Sequence, residues 1–139
     1  MSEATDRWLG FAREDLQMAD LALSSEIYNQ ACFHAQQCAE KSLKAMIVFQ
    51  GVVTPRLHAI TDLANLLPEA WLSDLREEIG SLDDYYIPTR YPDALPGSLP
   101  EGLPGKADAE SAVALARRLL EKAKELLAGA EKPDANDTQ

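Results

Sequence analysis

Two histidines, two cysteines and a few lysines and arginines carry most of the chemistry open to this 139-residue chain. His34, Lys41 and Lys44 fall in one run, Phe33-His34-Ala35-Gln36-Gln37-Cys38-Ala39-Glu40-Lys41-Ser42-Leu43-Lys44. On a helix, positions 33, 37, 40 and 44 share a stripe, and 34, 38 and 41 share the next. Imidazole exchanges a proton near neutral pH, and ammonium groups hold phosphate, so this face suits a phosphate or a base. The same residues have a plainer use. Lys41 and Lys44 can pair with Glu40 or a neighbour, and His34 lies one residue from an apolar stripe as a hydrogen-bonded structural histidine. His58 stands near the start of a short helix, where capping or loop packing is its ordinary role.

A second cluster is Tyr85, Tyr86, Arg90, Tyr91 and Asp93. A guanidinium on phosphate with a ring against a base would clamp a nucleotide. Alternatively, Arg90 pairs with Asp93, Asp84 or Glu40 and pins the loop. Cys32, His34 and Cys38 invite a zinc reading, but only His34 and Cys38 share a face, and a structural site needs two more ligands. No metal and no cofactor is expected, and a P-loop type glycine-rich segment is absent. Glu77-Glu78 and Asp83-Asp84 read as solvated helix charge. Two cysteines six residues apart on one helix sit about 9 Å apart by helical rise, too far to bridge.

The elements that must position these groups read as helical almost throughout. Thr5 can cap a first helix carrying Trp8, Leu9, Ala12, Leu16, Ala19 and Leu23 at helical spacing. Ser24-Ser25-Glu26 breaks it. From about Ile27 to Gln50 there is neither Gly nor Pro, and Gly51 is a fitting stop. The small residues Ala31, Ala35, Cys38, Ala39, Ser42 and Ala45 allow neighbours to approach, which marks this as the central helix. A short helix is predicted over about 59–67, ending at Pro68. Another is predicted over about 69–84, with Trp71, Leu72, Leu75, Ile79 and Leu82 inward and Gly80 weakening its last turn. Residues 85–105 hold five prolines and three glycines, a long loop of the kind that is usually functional or mobile. The last helix, about 107–127, turns Ala112, Leu115, Ala116, Leu119, Leu120, Ala123 and Leu126 inward. These elements make an all-α up-and-down bundle of four long helices and one short one, over 5–128, with a disordered polar tail at 129–139.

Composition narrows the function classes. The chain is 46% hydrophobic and 26% charged, as ordinary globular proteins are. Its formal charge is −10, and both halves are acidic: five Lys/Arg against nine Asp/Glu in 1–69, eight against fourteen in 70–139. Since phosphate neutralisation drives non-specific nucleic-acid affinity, a stand-alone duplex binder is not expected. No apolar run reaches the roughly 18 residues of a membrane span, so no membrane partner is expected. The acidic start, Met1-Ser2-Glu3-Ala4-Thr5-Asp6, is no secretory signal, and reduced thiols point to the cytoplasm.

The run Tyr28-x-x-Ala31-x-Phe33-His34-Ala35-Gln36-Gln37-Cys38-Ala39-Glu40-Lys41-Ser42-Leu43-Lys44-Ala45 resembles the signature helix of the HEPN family, the higher eukaryote and prokaryote nucleotide-binding domain. Ala12-Arg13-Glu14-Asp15-Leu16-x-x-Ala19 resembles that family's opening helix. His58-x-Ile60-x-x-Leu63 is similar to its entry into the third helix, and Arg90-Tyr91-Pro92-Asp93 to the turn before its last. The resemblance spans about 6–127. It implies a mostly antiparallel helical bundle that commonly dimerises and often accompanies a small nucleotidyltransferase.

Many such proteins are RNases whose signature is an arginine, four to six residues, then a histidine, joined across a dimer cleft. Here no arginine precedes His34 or His58 at that spacing. Arg56 is separated from His58 only by Leu57, and no histidine follows Arg90. The expectation is therefore a non-catalytic homodimer that binds a nucleotide, a nucleotidyltransferase partner, or both. Its cleft would be lined by His34, Gln37, Lys41, Lys44, Tyr86, Arg90 and Tyr91. Two alternatives stay open: an RNA-cleaving toxin pairing Arg56 or Arg90 with His34 or His58, and a purely structural dimer subunit.

Overall fold

A computed structural model of the chain describes residues 2–54, 56–86 and 102–131. The first helix, α1 (Glu3–Ser24), starts one turn earlier than Thr5 suggested. Ser2 is the cap: its hydroxyl accepts from the Thr5 backbone N–H at 3.1 Å, and the two side-chain oxygens lie 2.9 Å apart. Leu9, Ala12, Leu16 and Ala19 are buried, as their spacing demands.

The helix closes on a Schellman turn, with Ile27 N–H bonding Ala22 C=O at 2.8 Å and Glu26 N–H bonding Leu23 C=O at 3.1 Å. That turn holds Glu26 at φ 62°, a left-handed position normally given to glycine. Glu26→Gly should therefore stabilise the fold by about 1 kcal/mol, read as a higher urea midpoint at unchanged slope.

The central helix, α2 (Tyr28–Phe49), is buried along 13 of its 22 residues. Its small side chains face neighbours on two sides. Asp15 of α1 reaches both His34 and Lys41, while Trp8, nearer the start of α1, lies over Lys44, so α1 and α2 run antiparallel. On the other side Cys38 Sγ approaches Ala116 C=O at 3.9 Å, and Asp108 acts electrostatically on Cys32. Those pairs step in the same direction, so the last helix, α5 (Lys106–Glu131), runs parallel to α2. Beyond α2, Gly51 takes φ 84° and ends the helix as its position suggested.

The expected helix over 69–84 is instead three short pieces: a 3-10 turn at Glu69–Leu72, α4 (Arg76–Ile79), and a 3-10 segment at Gly80–Tyr85. Its buried set survives the breaks, since Leu72, Leu75, Ile79 and Leu82 are all inside and Trp71 is partly so. One break falls at Gly80. A Cβ there would stand 3.2 Å from Thr61 Oγ1, tighter than an ordinary contact, so the missing side chain eases the close approach to α3 (Ile60–Ala64).

Asp83 is also more than solvated charge. Its carboxylate accepts from Ile60 N–H at 2.5 Å, Thr61 N–H at 3.2 Å and Thr61 Oγ1 at 3.0 Å, capping α3 from a distant segment. Asp83→Ala should cost about 1 kcal/mol, checked by thermal melting.

The helix α5 extends to Glu131, so residues 129–131 are helical rather than tail, and the rest of the tail lies outside the described residues. The protein is an all-α bundle, with no extended strand among the described residues. None of the described helices is long and apolar enough to cross a membrane.

Candidate functional site

Two buried carboxylates organise the polar face of α2. Asp15 projects from α1 and is bonded by His34 Nδ1 at 2.9 Å and by the Lys41 ammonium. Further along α2, Glu40 Oε2 accepts from Lys44 Nζ at 2.9 Å and meets His58 Nδ1 at 2.9 Å. The Lys44 ammonium also lies 5.4 Å from the centre of the Trp8 ring, a cation–π contact. Each histidine is thus matched with a carboxylate that already holds a lysine.

The two centres differ in exposure. The His34 side chain is mostly enclosed, while that of His58 is 52% exposed. Its ring lies nearly parallel to Tyr86, at 11° and 5.6 Å between centroids. An ionised carboxylate can only accept, so Glu40 selects the His58 tautomer with hydrogen on Nδ1 and leaves Nε2 as the basic nitrogen. The second oxygen of Glu40, Oε1, is buried with no hydrogen-bond partner among the described residues, as is Gln36 Nε2.

Of the residues expected to line a cleft, His34, Gln37, Lys41 and Lys44 do share one face of α2. Their cations are committed to Asp15 and Glu40. Gln37 is half-buried and donates to Gln36 Oε1 at 2.7 Å. Tyr86 joins the group through His58. Arg90 and Tyr91 lie outside the described residues.

Asp15 and His58 belong to this site, although neither is among the residues expected to line the cleft. The signal for Asp15 was its register. It falls three residues after Ala12 and four before Ala19, on the buried stripe of α1, where an acid needs a cationic partner. For His58 only its chain neighbourhood was visible, because the contact with Glu40 spans 18 positions.

The cysteines belong to the core. Burial pushes the Cys32 thiol up to about 11, against a hydrogen bond with Tyr85, and pushes Cys38 up to about 12, against a hydrogen bond with Ser42. Burial likewise raises the Tyr85 hydroxyl. Both thiols should resist a disulfide reagent at pH 8 in the native protein and react in urea, a difference read as released chromophore. They are free, and no group of three or more metal-binding side chains forms among the described residues.

Where α1 ends and α2 begins, Met18, Leu21, Ala22, Ser25, Ile27, Gln30 and His34 line a shallow, mainly apolar groove of about 240 Å³. Met18, Leu21 and Ile27 are exposed, with Phe11 further along α1.

The model of the HEPN domain matches residues 5–126. The chain belongs to the HEPN domain family. A relative from Methanocaldococcus jannaschii, named "Putative toxin MJ1304", is 32% identical over 127 residues, which cover 84% of this chain and 83% of that protein. The crystal structure of ST0689, described as an archaeal HEPN homologue, superposes with a TM-score of 0.72 at 34% identity. That match covers 91% of this chain and 99% of the homologue. The crystal structure of TT1696 from Thermus thermophilus also gives 0.72, at 41% identity, over 90% of this chain and 98% of that one. These two structures share the helical bundle.

Proposed function

We propose that this HEPN protein is a non-catalytic nucleotide-binding subunit, acting as a homodimer and partnering a small nucleotidyltransferase. The observation that carries the reading is the pairing on α2. Each histidine is matched with a carboxylate and a lysine, and among the described residues neither is bonded to an arginine. A ribonuclease needs a group to steady developing phosphate charge beside its proton-transfer group. Lys41, 26% exposed beside Asp15, can meet a ligand phosphate at the edge of its ion pair, whereas Lys44 is enclosed with Glu40.

Dimerisation is supported by the exposed apolar side chains Met18, Leu21 and Ile27, which gather where α1 ends and α2 begins, with Phe11 exposed further along α1. Calorimetric titration with ATP at low salt should give heat, and Lys41→Gln should weaken binding about tenfold. Absence of heat with every nucleotide would remove the ligand half. The partner half rests on co-purification with a nucleotidyltransferase.

A second reading, an RNA-cleaving toxin, is favoured by one feature: the half-exposed His58 is oriented by a buried carboxylate, as proton-transfer histidines are. The name of the Methanocaldococcus relative points the same way. Expression toxicity that His58→Ala abolishes would establish it over the first.

A further inference from the structure

We infer that His58 is the stacking platform for the nucleobase of the bound ligand, held edge-on by Glu40 and backed by Tyr86. The inference rests on the nucleotide-binding reading and names which part of the nucleotide this end of the site takes.

Three observations bear on it. The His58 side chain is 52% exposed, although its Nδ1 is anchored at 2.9 Å on a carboxylate whose own side chain is only 7% exposed. An exposed imidazole normally samples several rotamers, so the anchor removes freedom that a ligand would otherwise have to remove. Tyr86 lies parallel to the ring, at 11° and 5.6 Å between centroids, so a planar group added to the exposed ring would extend a stack already begun. The Glu40 carboxylate that anchors the ring also holds Lys44, so the platform belongs to the same polar cluster as the lysines of α2.

A flat, neutral heteroaromatic ring is the group that fits. Bases stack on histidine and tyrosine faces in single-stranded recognition, with little dependence on which base is present. An aliphatic ligand would gain nothing from the parallel rings. A phosphate has no flat face to set against the parallel rings, and the Nδ1–H of His58 is already given to Glu40.

The test is a titration of the full chain, followed by proton NMR, with AMP, UMP and ribose 5-phosphate. The structure predicts upfield ring-current shifts of the base protons of AMP and UMP and matching shifts at the His58 ring. His58→Ala should weaken AMP by about 5- to 150-fold, the span of one base stack. His58→Phe, which keeps a face, should stay within a few-fold of wild type. Ribose 5-phosphate should bind wild type and His58→Ala alike. Far-UV circular dichroism confirms that each variant is folded, as expected for a half-exposed position. If AMP binds and both variants match wild type, the base sits elsewhere and the inference falls while nucleotide binding stands. If no nucleotide binds wild type, the parent reading falls and takes the inference with it. Shifts at His58 with ribose 5-phosphate equal to those with AMP would assign the ring to phosphate and overturn the stacking role.

Discussion

Replacing Glu40 by alanine should lower folding stability by about 3–5 kcal/mol, the cost of leaving a buried charge without its partner. Lys44 is the charge left behind. Its side chain is 7% exposed, its ammonium sits 2.9 Å from Glu40 Oε2, and among the described residues the Trp8 face is its one other named contact. A domain of this size has roughly 5–15 kcal/mol of total stability, so the variant should be partly unfolded in mild urea. The mechanism makes a second demand. Truncating both ends, as in Glu40→Met with Lys44→Met, removes the stranded charge and should recover most of the loss. Urea midpoints of the single and double variants measure both. A double variant no more stable than Glu40→Ala would mean that the loss comes from packing rather than charge.

The next largest effect is expected at Leu43. It is fully buried on α2, the helix that touches both α1 and α5, so a cavity there opens in the centre of the bundle. Leu43→Ala should cost about 2–5 kcal/mol, depending on how far the neighbours collapse. Val53→Ala is the control. That side chain is 86% exposed, and its loss should change stability by no more than about 0.5 kcal/mol. Equal effects at the two positions would mean that burial does not set the cost at Leu43.

Much of this architecture was legible because helical periodicity is local. The stripe Leu9, Ala12, Leu16, Ala19 and the Gly-free, Pro-free run into Gly51 located α1 and α2 to within a few residues. The segment over 69–84 shows the limit. Its apolar spacing correctly identified which side chains go inside, but spacing does not report where the backbone tightens into 3-10 turns. That depended on Gly80 meeting Thr61 and on Asp83 capping α3, contacts across about twenty positions.

The site divides the same way. His34, Gln37, Lys41 and Lys44 come together because they fall on two adjacent stripes of one helix. Their charge partners were readable only within that helix: Glu40 to Lys44 is an i, i+4 pair, whereas Asp15 and His58 arrive from other elements. The pairing changes the chemistry expected of the site, since lysines that looked free for phosphate are each already held by an acid.

Incubation of the purified chain with end-labelled single-stranded RNA, in the buffer that supports ATP binding but without ATP, tests the central claim most directly. The account predicts full-length RNA after prolonged incubation, for wild type and His58→Ala alike. Cleavage by wild type that disappears in His58→Ala would contradict it and make the histidine held by Glu40 a cutting group rather than a holding one.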